Sequence, residues 1–251
     1  MWSRKFLKYK AKEVLKVSYL KAFLVSLIMV IGGAEYSGSF GYNWNFTNRN
    51  SHYGFNWFLG QSTGMFPFWN TFLKSIIIFL ILFVLVFRIF LGYSLEVGGR
   101  RYFVQSAQND IDMSYLGYSF NRERYLDIVK AMLWRDILNF LWYLLLIIPG
   151  IVKAYAYIMV PYILADNPNI GYKRAVELSN KMTEGEKVDM WVLDLSFIGW
   201  YLLGTLLFRV GVLFVMPYEN ATKAELYLVL RKNAIDHGLC SYEELGIKYI
   251  L

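Results

Sequence analysis

The chain has few residues from which a metal site or a disulfide is built. Among its 251 residues there is one cysteine, Cys240, and there are two histidines, His52 and His237. A single cysteine excludes an internal disulfide and a cysteine-cluster metal site. The two histidines lack ligand-like spacing to each other and to Cys240. The sequence therefore predicts no metal and no cofactor.

Common catalytic signatures are also missing. The chain contains no Gly-x-Ser-x-Gly nucleophile elbow, no His-Glu-x-x-His zinc motif and no Walker phosphate loop. Each of these motifs places a reactive group or a phosphate in a fixed local geometry, so its absence removes the corresponding chemistry from consideration. An enzyme is the least supported class of function, and we predict that the chain is not one.

Charge is scarce, whereas apolar side chains are abundant. Charged residues make up 18% of the chain, hydrophobic residues 57% and aromatic residues 19%. This balance is typical of a membrane protein rather than a soluble domain. The net charge of +7 would suit nucleic acid, but the basic residues flank apolar runs. That position predicts anionic membrane lipids as partners and no nucleic acid.

The apolar stretch at residues 131–166 decides the predicted architecture. As one helix it would measure about 54 Å, well beyond a hydrocarbon core of about 30 Å. Pro149 and Gly150 interrupt it, since proline blocks helix propagation and glycine supplies the backbone freedom of a turn. Basic segments flank both ends. The stretch therefore predicts two membrane spans that turn at Pro149-Gly150, with both flanks in the cytoplasm.

Extended along the chain, this reasoning predicts an all-α polytopic helical membrane protein. About six transmembrane helices form three hairpins within a single integral membrane domain, residues 1–251. With Lys21 at the start of the first span included, 20 Lys and Arg residues fall on the proposed inner segments and one, Arg49, falls on the outer ones. By the positive-inside rule, both termini are predicted to be cytoplasmic. An alternative with four full spans and one re-entrant late hairpin stays open because the last spans are short.

Three segments outside the spans have their own character. Residues 1–17 predict a basic amphipathic helix on the inner leaflet or, alternatively, a simple anchor for the first span. Residues 35–70 hold twelve aromatics and one basic residue, which predicts an external loop, either an aromatic belt or a lipid- or sugar-binding lid. Residues 219–251 predict a cytoplasmic tail. A capping box at Thr183 and Glu186 predicts the start of span five.

A short sequence tag occurs twice. Pro161-Tyr162 in predicted span four matches Pro217-Tyr218 in predicted span six, and a basic residue precedes each proline by eight positions. The match predicts either a repeated hairpin or no more than two proline kinks. A kink alone would explain the proline, because proline frees a backbone carbonyl one turn back.

Ionisable residues within or beside the predicted spans are the candidates for a ligand site. Charges at that depth are costly and commonly face a cavity or a partner group. The candidates are Arg88, Lys153, Asp194, Arg209 and Glu219. Arginine favours a phosphate or carboxylate because its fork binds two oxygens at once.

Each candidate also has an explanation that needs no ligand. The alternatives are snorkelling for Lys153 and Arg209, a buried ion pair for Asp194, and an acidic partner for Arg88 among Glu96, Asp194 and Glu219.

Part of the chain resembles a known family. The residues that carry the resemblance are IIPGIVKAYAYIMVPYILADNP, VLDLSFIGWYLLG and FVMPYENATKAELYLVLR. They are similar to an uncharacterised family of Gram-positive bacterial integral membrane proteins, the domain-of-unknown-function 975 family. The resemblance implies a bacterial origin and a multi-pass location in the plasma membrane. More distantly, the hairpin pattern is similar to membrane domains attached to glycerophosphodiesterases.

Two classes of function fit these observations. The first is a protein that binds or moves an anionic lipid or amphiphile through a site between hairpins. The second is a non-catalytic membrane scaffold or accessory subunit that binds a partner protein at its cytoplasmic helices. A polar cavity that converges on Arg88 and Asp194 favours the first class, whereas a solid apolar core with an exposed apolar patch on the inner helices favours the second.

Overall fold

The computed structural model describes residues 2–33, 67–206 and 211–247, and every regular element among them is a helix. The all-α prediction is confirmed for these residues. They include a π-helical turn, Arg88–Gly92, and a 3₁₀ helix, Met113–Phe120. The α-helices are α1 (Arg4–Ile31), α2 (Pro67–Phe87), α3 (Tyr93–Ser106), α4 (Arg122–Leu145), α5 (Ile147–Ala156), α6 (Val160–Asp166), α7 (Tyr172–Met182), α8 (Lys187–Leu195), α9 (Ile198–Leu206) and α10 (Gly211–Asp236).

Three helical stretches are long and apolar enough to cross a membrane. They are Arg4–Ile31, which is α1, Phe72–Ser106, which runs from α2 into α3, and Ile147–Asp166, which covers α5 and α6. The predicted presence of membrane-spanning helices is confirmed to this extent. The arrangement of six spans in three hairpins with cytoplasmic termini stays a prediction. Of the predicted external loop, residues 35–66 lie outside the described residues.

The first seventeen residues do not form a separate helix. They are the first half of α1, whose buried face repeats every three or four residues from Leu7 to Met29. This face packs against α10 and α3. The N-terminal end is held to α8 by two hydrogen bonds, from Trp2 Nε1 to Glu186 Oε2 (2.9 Å) and from Lys8 Nζ to the Ser196 carbonyl (3.1 Å). One face of this segment is thus packed against the core, and its placement on the inner leaflet stays a prediction.

The turn between α4 and α5 lies at Leu146, three residues before the predicted one. Leu146 has extended backbone angles, φ −159° and ψ 144°. Pro149 and Gly150 follow in the first turn of α5, where a missing proline N–H costs little because the first helical N–H groups have no intrahelical acceptor. A Cβ at Gly150 would lie 2.5 Å from the ring of Tyr143. Glycine thus permits the close approach of α5 to α4.

The late spans are less regular than predicted. Thr183 does not begin a helix but ends α7, where its Oγ1 donates to the Ser179 carbonyl at 2.9 Å. Predicted span five is divided into α8 and α9 by a break at Ser196 and Phe197. Span six and the start of the predicted tail form one helix, α10, which contains Pro217 in its interior. Residues 219–236 are thus helical, and residues 219–227 are buried.

Helix α10 is the central element. All nine residues from 219 to 227 are buried, so neighbouring helices surround this segment on every side. α1, α3 and α9 pack directly against α10. A helix enclosed in this way must satisfy any polar side chain within the protein, because water does not reach it.

Candidate functional site

One face of α10 carries ionisable side chains at every fourth position. Residues Glu219, Lys223, Tyr227 and Arg231 are each one helical turn apart, so they line up along the helix. Lys223 exposes only 4% of its surface. A lysine is rarely buried to this extent unless it is paired. The partners of this face therefore define the candidate site.

Lys223 is held between two carboxylates. Its Nζ lies 2.6 Å from Glu219 Oε1 in the preceding turn and 3.4 Å from Asp194 Oδ1 on α8. The hydroxyl of Tyr155 on α5 donates to the other Asp194 oxygen at 2.9 Å, and that of Tyr201 on α9 donates to the other Glu219 oxygen. We call these five residues the Lys223 cluster. It joins α5, α8, α9 and α10 through charge-assisted hydrogen bonds.

A second ionic group lies at the start of α3. Arg135 Nη1 approaches Glu96 Oε1 at 3.4 Å, and its Nε donates to Asp136 at 2.8 Å. Glu96 also lies 4.0 Å from Arg100, one turn further along α3. Tyr93 donates to the other Asp136 oxygen at 2.7 Å. Its two arginines and two carboxylates balance in charge, and they connect α3 to α4.

Asn220 and Tyr162 connect the second group to α10. Arg100 donates to Asn220 Oδ1 at 2.7 Å and to the Tyr162 hydroxyl at 3.2 Å. The amide nitrogen of Asn220 then donates to Ser26 on α1 at 3.1 Å. The Tyr162 ring stacks on that of Tyr227 with centroids 5.3 Å apart. Polar contacts therefore run through the core from α1 to α6.

The C-terminal segment after α10 is tied back by a more exposed ion pair. Arg174 on α7 donates to Glu244 at 2.6 Å, and this hydrogen bond lowers the pKa of Glu244 below its ordinary value. A second nitrogen of Arg174 donates to the Leu239 carbonyl at 2.7 Å. Cys240, within this segment, is buried, and burial raises the pKa of its thiol. A thiol reagent would consequently report opening of this segment.

The structure brings together two of the five predicted site residues. Asp194 and Glu219 meet at Lys223, as described above. Arg88 begins the π-helical turn, and its side chain passes Gly33 at the end of α1. Lys153 lies over the rings of Trp142 and Tyr157, at 5.2 and 5.9 Å from their centroids. Arg209 lies outside the described residues.

The acidic partners proposed for Arg88 are engaged by other cations. Glu96 pairs with Arg100 and Arg135, whereas Asp194 and Glu219 share Lys223. The convergence of Arg88 with Asp194 on a single site stays a prediction.

The two Pro-Tyr tags occupy different positions in their helices. Pro161 lies in the first turn of α6, whereas Pro217 lies inside α10. Tyr162 is fully buried and stacks on Tyr227, whereas Tyr218 is half-buried with its ring edge-to-face against Phe197. These differences give no support to a repeated structural unit.

Sequence reasoning missed the cations at the centre of the site. Lys223 falls in the predicted cytoplasmic tail, and Arg100 is not among the predicted site residues, because charge outside the apolar runs is taken to mark the ends of spans. The signal that identifies them is local: Glu219 and Glu96 each precede their lysine or arginine by four residues, the spacing of an ion pair on one helical face. Charge counting alone does not separate such pairs from solvated residues.

The interior beside Lys223 is almost filled. A cavity lined by Tyr155, Tyr162, Asp194 and Lys223, together with apolar residues, has a volume of about 10 Å³. This is room for about one water molecule, whereas small-molecule sites measure about 300–1,000 Å³. Among the described residues, no group of three or more His, Cys, Asp or Glu side chains could hold a metal ion.

Residues 143–234 match the model of a family described as a protein of unknown function, DUF975. The match covers a little over a third of the chain and includes α5 to α9 and most of α10. The predicted resemblance is confirmed over this region, which contains the whole Lys223 cluster. Neither a curated protein nor a solved structure matches the chain. The expected bacterial origin and the distant resemblance to glycerophosphodiesterase membrane domains stay predictions.

Proposed function

We propose that the chain is a non-catalytic integral membrane protein of a bacterial plasma membrane, acting as a scaffold or accessory subunit. One observation carries this proposal: the charges at the centre pair with one another across four helices around a cavity of about 10 Å³. Carboxylates and a lysine committed in this way hold helices together. The groups of the Lys223 cluster therefore direct no hydrogen-bond donors at a space large enough for a ligand.

The alternative, a carrier for an anionic amphiphile, requires a cationic group that faces such a space. Lys223 is the cation at the centre, and two carboxylates hold it. An anionic ligand there would have to displace both acids from a site closed to solvent. The geometry therefore favours the scaffold over the carrier.

A scaffold also needs a surface for a partner. Arg4, Lys5 and Lys12 are exposed in the N-terminal half of α1. These residues would attract an acidic protein surface or anionic lipid headgroups. We place the protein partner of the scaffold at this end of α1.

The test removes the central charges together. In the triple variant Asp194→Asn, Glu219→Gln and Lys223→Met no ionised group is left in the Lys223 cluster, so no charge is left unpaired. If the cluster is structural, the variant keeps its fold and the mass of the complex extracted from native membranes, measured by native mass spectrometry. If the protein is a carrier, added anionic amphiphile stabilises the wild type against heat and does not stabilise the triple variant. That second result would overturn the proposal.

A further inference from the structure

Two arginines that the scaffold role does not use lie against the same tyrosine ring. The guanidinium carbon of Arg101, near the end of α3, is 3.7 Å from the ring centroid of Tyr118. That of Arg124, in the first turn of α4, is 4.5 Å from the same centroid. Both distances are within the range of cation–π contacts. The 3₁₀ helix therefore gathers two positive charges around one neutral side chain.

Carboxylates do not balance these charges. In the described part of the chain, the ion pairs of α3 and α4 belong to Arg100, Lys130 and Arg135. The nearby carboxylate of Asp110 accepts from Tyr115, and Glu123 is exposed. Neither carboxylate forms an ion pair with Arg101 or Arg124 among the described residues, so both guanidinium groups are available to pair with an anion.

Arg101 also has a buried donor without an acceptor. One terminal nitrogen donates to the Ala165 carbonyl at the end of α6. The Nε of the same guanidinium is buried, and no acceptor for it is found among the described residues. A buried donor without a partner is costly, and in folded proteins it commonly marks the place of a water or an ion. This buried donor belongs to the same guanidinium that lies against the Tyr118 ring.

We propose that Arg101 and Arg124 bind one phosphate group beside Tyr118. The phosphate belongs either to a small soluble phosphate compound or to the headgroup of an anionic lipid. A guanidinium presents two N–H groups in a fixed fork that matches two phosphate oxygens, and stacking on an aromatic ring fixes the plane of the fork. The first turn of α4 adds the positive end of a helix dipole next to Arg124.

This site is separate from the Lys223 cluster, and neither proposal depends on the other. The phosphate site lies where α3, the 3₁₀ helix, α4 and the end of α6 meet, whereas the Lys223 cluster joins α5, α8, α9 and α10. A response to phosphate that depends on Arg124 therefore leaves the scaffold proposal standing. A response that depends on Lys223 speaks for the carrier instead.

The test compares Arg124→Gln with Arg122→Gln. Arg122 is exposed in the same helical turn, so both variants lose one positive charge from the same region. The full chain is purified in detergent, and its thermal midpoint is followed against inorganic phosphate and glycerol 3-phosphate at constant ionic strength. A second series uses nanodiscs of phosphatidylcholine with and without phosphatidylglycerol.

We expect the wild type to be stabilised in one of the two series. Arg124→Gln should weaken the apparent affinity about tenfold or more, since a charge-assisted fork is lost, whereas Arg122→Gln should change it by less than about twofold. Arg124→Lys should recover part of the affinity because it restores the charge without the fork. A response to the soluble compounds identifies a free phosphate site, and a response to phosphatidylglycerol alone identifies a lipid headgroup.

Three results would overturn the inference. They are no stabilisation of the wild type in either series, an equal response of Arg124→Gln and the wild type, and equal losses in Arg122→Gln and Arg124→Gln. The last would show that the phosphate responds to net charge rather than to the site at Tyr118. Arg124 makes no hydrogen bond in the described residues through its side chain, so its replacement should leave the fold intact.

Discussion

Residues 79–87 of α2 and residues 219–227 of α10 are helical segments of equal length in opposite surroundings. Every side chain from Phe79 to Phe87 is apolar and exposes between 38% and 67% of its surface. The nine residues of the α10 segment expose at most 4% each, and three of them are charged. In water both arrangements would be unfavourable, because apolar surface is exposed and charge is enclosed.

In a bilayer, the exposure of the apolar side chains of α2 is no longer unfavourable. The bilayer also explains why the charges of α10 are enclosed within the protein. In contact with lipid tails, the apolar side chains of α2 are already in a favourable solvent, so they need no protein partner. Charged side chains, by contrast, must pair inside the protein. The two segments therefore indicate a core organised by ion pairs and a periphery organised by lipid.

The largest effect is expected from Lys223→Met. This change leaves Asp194 and Glu219 buried without their cation, and breaking a buried ion pair in this way costs about 3–5 kcal/mol. Thermal unfolding in detergent should show the loss. Adding Asp194→Asn and Glu219→Gln should restore most of the stability, because it removes the unpaired charges. If Lys223→Met unfolds like the wild type, the Lys223 cluster does not organise the core.

The second prediction concerns α2, where an added charge should disfavour insertion of the helix into the membrane. Leu80 exposes about half of its surface, and Leu80→Lys places a charge near the middle of the apolar run. Insertion of such a helix should cost about 2.5–3.5 kcal/mol more, measured as the inserted fraction with a glycosylation-site reporter. Leu80→Met is the matched control. On a helix that faces water, the lysine would change little.

These two segments also differ in how far the sequence predicts them. The α2 run is apolar at every position from Ile76 to Phe87, and length and composition alone identify it as a candidate span. Lys223 looks like a residue of a cytoplasmic tail, because burial depends on which helices surround α10. That packing involves α1, more than 190 positions earlier in the chain, as in the bond between Asn220 and Ser26. Local patterns do not contain such contacts.

The boundaries of the helices are also beyond what local sequence patterns predict. Pro149-Gly150 correctly indicated an interruption near residue 149, but the extended residue is Leu146, since proline is tolerated in the first turn of a helix. Thr183 and Glu186 fit the spacing of a capping box, yet the threonine hydroxyl bonds backward to α7. In both places two local structures suit the same residues, and tertiary packing selects one of them.

The third prediction addresses the junction at which α2 leaves the core. A Cβ built on Gly92 would lie 2.1 Å from the Gly32 carbonyl oxygen at the end of α1. Gly92→Ala should therefore push α1 away from the π-helical turn and cost about 1–3 kcal/mol in thermal unfolding. Gly199→Ala is the control, because a Cβ there would meet no atom within 4 Å. Equal behaviour of the two variants would mean that the junction is not tightly packed.

The smallest effect is expected at the half-exposed pair of Arg174 and Glu244, which serves as a contrast to the Lys223 cluster. Their side chains are 30% and 29% exposed, so solvent screening limits the pair to about 0.5–1 kcal/mol. Hydrogen bonding from Arg174 lowers the pKa of Glu244 from its ordinary value of 4.5. The stabilisation is therefore fully present above about pH 4.5 and is lost as the pH falls through the lower pKa of the folded state.

Glu244→Gln tests this pair without removing a buried group. We expect the wild type to be slightly more stable than the variant at pH 7, and the difference between their free energies of unfolding to shrink toward zero as the pH falls below about 4.5. Glu243→Gln removes the same charge from an exposed neighbour and should show little difference at either pH. A difference for Glu244→Gln that persists unchanged in acid would mean that packing, rather than ionisation, holds the C-terminal segment. A loss at pH 7 as large as that of Lys223→Met would remove the distinction between the buried core and its half-exposed edge.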